Sequence, residues 1–105
     1  MGYYVRYTIK VPTESIDEVV LTLNTLSDYE FQKDGNTITN EEPYSGFDPY
    51  TVFPKLSSNF PDIAIKVLFD GESSDDLTVH VYKNGEHVKE VDLISDIYKK
   101  WESYL

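Results

Sequence analysis

The hydrophobic period of the chain changes abruptly at Pro12, and that change restricts the fold more than any other feature. Tyr3, Val5, Tyr7, Ile9 and Val11 alternate with Tyr4, Arg6, Thr8 and Lys10, the period of two that sends successive side chains to opposite faces of a strand. Beyond Pro12, Ile16, Val19, Val20, Leu23 and Leu26 recur at helical spacing and form one apolar stripe. Thr13 or Ser15 can cap that helix, and Ser15 with Glu18 has the spacing of a capping box. Glu14, Asp17 and Glu18 suit the positive end of the helix dipole. A half-buried strand feeding an amphipathic helix needs a sheet with helices against it, so the chain is read as α+β.

The remaining segments fit that frame. Asp34-Gly35 marks a turn, and residues 36–40 suit a short strand. Residues 41–50 are polar, contain Pro43, Gly46 and Pro49, and read as a loop. Asp48 can cap a helix with Pro49 in its first position. Pro54 then falls inside and removes a backbone donor, so the segment is expected as a kinked helix or a short one beginning near Pro54. Phe53, Leu56 and Phe60 would be its core contacts. Residues 63–69 are apolar on both faces, as in a central strand. Residues 77–82 and 87–91 flank Asn84-Gly85, a strong signal for a two-residue hairpin turn. Counting outward from it pairs Tyr82 with His87, Val81 with Val88, and His80 with Lys89. Residues 93–105 close as a helix with Leu93, Ile94, Ile97, Tyr98 and Trp101 as the expected buried stripe. The expected architecture is one domain, residues 1–105: a two-layer sandwich, ferredoxin-like or related, with a mostly antiparallel sheet, helices on one face and a C-terminal helix.

Composition bounds the chemistry. A chain of 105 residues with 40% hydrophobic residues, nine tyrosines, five phenylalanines and one tryptophan supplies one ordinary core. With no cysteine, disulfides, thiolate catalysis and cysteine-based zinc sites are excluded, and a cytoplasmic location is expected. The first residues lack the apolar run of a signal peptide, and no stretch approaches the roughly 20 apolar residues of a spanning helix. Nine basic against 19 acidic residues give a formal charge of -10. Direct nucleic-acid binding rests on cations that neutralise phosphates, so this balance points instead to a protein with a basic surface.

From residue 42 onward the short motifs Glu42-Pro43-Tyr44, Asp48, Leu56-Ser57, Phe60-Pro61, Gly71-Glu72, Asp76-Leu77 and Tyr82-Lys83-Asn84-Gly85 resemble the YubB-type ferredoxin-like domain. That family comprises small proteins borne on plasmids, phages and bacterial genomes. Gly46 and Thr78 stand where the family has large aromatics, and Pro54 where it has a regular helix. The resemblance implies a mobile-element setting and an accessory role, and it transfers no catalytic residue.

Among candidate sites, the segment Asp70-Gly71-Glu72-Ser73-Ser74-Asp75-Asp76 holds four carboxylates and no cation. Hard cations take such clusters, but the spacing is not that of a helix-flanked calcium loop, and it reads as a solvated connection between strands. His80 and His87 fall on one sheet face with Tyr82 and Lys89 in the strict hairpin register, where no third ligand or orienting carboxylate is placed. They are read as structural or exposed, and no metal or cofactor is expected. Neither a nucleophile elbow nor a Gly-rich phosphate loop is present, and acid pairs such as Glu41-Glu42 and Asp75-Asp76 are neighbours that cannot face one substrate from two sides. Tyr44, Phe47 and Tyr50 interleave with Glu41, Glu42 and Asp48, a mixture suited to an interface.

The chain is therefore expected to be a non-enzymatic interaction protein of a phage or plasmid that occludes a basic surface, with an inhibitor of a nucleic-acid-binding defence system, of the anti-CRISPR or anti-restriction type, as one form of it. The expected contacts are Asp70, Glu72, Asp75, Asp76, Glu41, Glu42, Tyr44, Phe47, Asp48 and Tyr50. The alternatives are an oligomer or scaffold of housekeeping role, and a weak metal- or small-molecule-binding enzyme.

Overall fold

The computed structural model describes residues 3–103, without the side chains of Tyr98, Lys99, Trp101, Glu102 and Ser103. The alternating segment forms strand β1, Val5–Lys10, and the helical stripe forms α1, Ile16–Ser27. No capping box joins them. A 3-10 turn, Thr13–Ser15, leads into the helix, and the Ser15 side chain makes no cap hydrogen bond, because its backbone already sits near helical angles (φ -101°, ψ -9°) whereas a capping residue is extended. Ile16, Val19 and Leu23 are buried, Val20 is half-buried and Leu26 is exposed. Asp28 ends α1 in the left-handed region at φ 58°, a conformation that aspartate tolerates.

Next come β2, Gln32–Asp34, and β3, Thr37–Thr39, joined through Gly35 at φ 62°. The first of these is not expected from the sequence. Helix α2 spans Pro49–Asn59 unbroken, with Pro54 inside it. Asp48 supports its start: Oδ1 accepts from the Tyr50 amide at 3.1 Å and Oδ2 from the Thr51 hydroxyl at 2.7 Å. Pro49, in the first position, removes an amide that lacks a helical partner in any case, whereas Pro54, further in, gives up the bond an amide there would make to the Tyr50 carbonyl. Phe53 and Leu56 are buried and Phe60 is half-buried.

Strands β4, Ala64–Gly71, β5, Leu77–Lys83, and β6, Glu86–Asp92, precede α3, Leu93–Ser103. The sheet order is β2-β3-β1-β4-β5-β6, antiparallel throughout. The first four strands, with α1 and α2 as crossovers, have the split β-α-β arrangement of a ferredoxin-like sandwich, and β5 and β6 widen it beyond β4. Val67 pairs with Ile9 on one side and His80 on the other, so β4 is central, as its two-sided apolarity implied. Tyr7, Ile9, Ile38, Ile65, Val67 and Tyr82 meet Ile16, Val19, Leu23, Phe53 and Leu56 in one core. Helix α3 packs against β5 and β6. Its Leu93 and Ile94 are half-buried, Ile97 is 59% exposed, and the expected burial of Tyr98 and Trp101 lies outside the described side chains.

The hairpin corrects the strict count. Tyr82 faces His87 and Lys83 faces Glu86, but Val81 then pairs with Lys89 and His80 with Glu90. Val88 is the extra residue of a β-bulge, which kinks an edge strand and re-aims the side chains beyond it. Lys89 consequently leaves the face it was expected to share with His80, and Glu90 takes its place.

Candidate functional site

One end of β1 organises the candidate contacts. The Val5 amide donates to the Tyr44 carbonyl at 2.9 Å and the Tyr44 amide returns a bond to Val5 at 3.0 Å. On its other side Val5 is paired with Gly71. Two acidic segments some thirty positions apart in sequence, at Glu41-Glu42 and at Asp70–Asp76, are thereby set either side of a single strand end.

The second segment is less loosely solvated than its composition suggested. Asp70 and Gly71 belong to β4. The Gly71 amide donates to the Asp76 carbonyl, and the Asp76 amide to that of Ser73, both at 3.0 Å. Glu72 Oε1 accepts from the Tyr4 amide at 2.9 Å, the Tyr3 hydroxyl donates to Asp76 Oδ2, and the Ser73 amide donates to the Tyr3 hydroxyl oxygen at 3.2 Å. Glu72 and Asp76 thus latch the loop to the chain start. The exposed Asp70 and Asp75 carboxylates make no hydrogen bond or ion pair within the described residues, and the same holds for the side chains of Glu41 and Glu42. Their backbone carbonyls do take part: Arg6 Nη2 donates to that of Glu41 and the buried Asn40 amide group to that of Glu42, each at 2.9 Å.

The aromatic loop turns partly inward. Phe47 is 7% exposed and packs on Tyr7, Phe31 and Phe53 at ring distances of 5.1, 5.3 and 5.4 Å. It is a core anchor and not an exposed contact, because a phenyl ring gains far more from burial than from solvent. Tyr44 is half-buried, its hydroxyl donating to the Glu30 carbonyl. Gly46 makes room for Tyr29, since a Cβ there would lie 2.5 Å from the Tyr29 hydroxyl. Tyr50 remains 64% exposed, and Asp48 is spent on capping α2.

Between these segments lies a cleft of about 390 Å³, lined by Tyr3, Tyr44, Tyr50, Phe69, Asp76, Thr78, His80 and Glu90 among others. His80 is 2% exposed and stacks on Phe69, with ring centres 3.8 Å apart. Its Nε2 lies 3.0 Å from Thr78 Oγ1, and its Nδ1 lies 3.0 Å from His87 Nε2 and 3.4 Å from Glu90 Oε1. Burial pushes the His80 imidazole below its usual range, Glu90 acts against that and His87 adds to it. His80 is therefore neutral near pH 7, and its contact with Glu90 is not an ion pair there. The histidine pair was legible as to type, whereas Glu90 was hidden by the bulge.

No protein-family model, no curated protein and no solved structure matches the chain. No described helix is long and apolar enough to cross a membrane.

Proposed function

We propose that the chain is a binding protein without a chemical step, which occludes a basic surface on a protein partner through the acidic end of its sheet. The juxtaposition of Glu41 and Glu42 with Asp70 and Asp75 around Val5 carries this reading. Of these four, Asp70 lies in β4 and the others in loops flanking the paired Tyr44 and Gly71, and none is within 4.0 Å of a lysine or arginine nitrogen among the described residues. Arg6, opposite Asp70 in the sheet and donating to the Glu41 carbonyl, is a cation set among them, and the net negative charge that remains attracts an opposite surface and speeds encounter. A partner that normally engages nucleic acid has such a surface, and a phage or plasmid origin, as the family resemblance implies, would make that partner a defence protein. The scaffold alternative has less support, because β2 is only three residues long and β6 carries a bulge and four charged residues besides its histidine, features that discourage edge-to-edge addition.

The test is capture of partners from host lysate by the wild-type chain and by the quadruple variant Glu41→Gln, Glu42→Gln, Asp70→Asn, Asp75→Asn, each captured protein being identified by mass spectrometry. Glu72 and Asp76 are kept so that the latch survives. A basic partner that is lost in the variant, released by added salt and displaced by duplex DNA or RNA is the expected result. A partner held equally by both proteins at about 0.5 M salt, where charges a few ångströms apart are already screened, would overturn the reading.

A further inference from the structure

The geometry points to a site for one divalent transition-metal ion of the zinc class, formed by His80, His87 and Glu90 at the rim of the cleft. The ligand atoms of these residues all lie within 4.8 Å of one another, with His80 Nδ1 3.0 Å from His87 Nε2 and 3.4 Å from Glu90 Oε1. Nitrogen and oxygen ligands about 2.0–2.2 Å from a four-coordinate ion stand roughly 3.0–3.5 Å apart, so closure needs only small side-chain rotations. His87 and Glu90 are exposed on an edge strand, where such rotations meet little resistance.

Three further features belong to a ligand set and not merely to a hydrogen-bonded pair. In the tautomer with its proton on Nε2, His80 donates to Thr78 Oγ1 and presents its Nδ1 lone pair, the outer support that orients metal-bound histidines. The bulge at Val88 aligns Glu90 with His80 while keeping His87 opposite Tyr82, and a regular hairpin would have put Lys89 there instead. Two imidazoles and one carboxylate favour zinc-like ions over calcium or magnesium, which take oxygen ligands. Because His80 and Glu90 also line the cleft beside Tyr50 and Asp76, the remaining coordination position would open toward it. This inference is independent of the acidic-surface reading.

The full chain, stripped with chelator, is titrated with Zn²⁺ by calorimetry and with Co²⁺ by visible absorption. Saturation at one equivalent is expected, together with the intense d–d bands of a low-coordinate Co²⁺ site and no competition from excess Mg²⁺ or Ca²⁺. His87→Gln and Glu90→Gln, both at exposed positions, should each weaken binding at least tenfold, about the scale by which even outer partners of a ligand change affinity, with circular dichroism unchanged. Asp70→Asn with Asp75→Asn should bind as the wild type does. Absence of saturable one-equivalent binding, full retention in both ligand variants, or loss in the Asp70 and Asp75 variant would each overturn the assignment.

Discussion

Tyr7 and Tyr82 show how single buried hydroxyls set limits on the whole fold. Tyr7 is 2% exposed and Tyr82 fully buried. Burial first, then the nearby Tyr50 and Asp48, raises the Tyr7 phenol to about 12, and burial also pushes Tyr82 well above its usual range. Both are neutral when protonated, so the unfolded chain loses these protons near pH 10 while the folded chain keeps them. Stability is therefore complete below about pH 10 and falls as pH rises toward 12. For Tyr7 the loss should be on the order of 2–3 kcal/mol, measured as a falling urea midpoint. Tyrosinate absorbance should show both rings ionising only with unfolding. Ionisation of all tyrosines near pH 10 in protein that is still folded would contradict this burial. Tyr82 Oη also lacks a hydrogen-bond partner among the described residues. Tyr82→Phe keeps the ring contact with Phe53 at 5.7 Å and removes the unpartnered group, so it should stabilise the protein by about 1 kcal/mol.

The hairpin of β5 and β6 carries the corresponding argument for an element. Asn84 and Gly85 both take positive φ, 50° and 82°, as a two-residue turn of this kind requires. The turn is tied to α2 by the Gly85 amide, which donates to Ser57 Oγ at 2.7 Å. Gly85→Val would force a β-branched residue into the left-handed region and press on Ser58. The expected cost is about 1–3 kcal/mol, read from chemical denaturation, and an unchanged midpoint would refute the turn geometry. This turn was legible because local chemistry alone decides it. The bulge shortly after it was not, although it left a trace: Val88 and Val91 are three apart and cannot share one face of a regular strand. In the fold Val91 pairs with Val79 and Val88 is left 55% exposed. Strand β2 left no trace at all, since its three residues are polar and exposed and what makes them a strand is their pairing with β3. The latch of Tyr3 and Tyr4 onto Glu72, Ser73 and Asp76 joins positions some seventy apart in sequence, beyond the reach of any local pattern.

For the whole molecule, a charge of -10 on 105 residues opposes compaction through self-repulsion, and the fold concentrates part of that charge where Val5 joins two acidic segments. If Glu41, Glu42, Asp70 and Asp75 serve a partner and not the fold, neutralising them should make the free protein more stable while weakening the complex. Four exposed carboxylates outside any ion pair within the described residues should together be worth about 1 kcal/mol at low ionic strength, each contributing no more than an ordinary surface charge effect. Salt separates this from a packing effect, because screening shortens the range of repulsion to roughly 3 Å at 1 M. Thermal midpoints of the wild type and the quadruple variant should therefore differ most at about 20 mM salt and converge at about 1 M, with the variant the higher of the two. A variant that is less stable than wild type at low salt would show that these carboxylates support the fold, and the acidic end would then be structural. A gain in stability coupled to loss of the captured partner is the pairing that only a binding role produces, since a charge kept merely for solubility has no partner to lose.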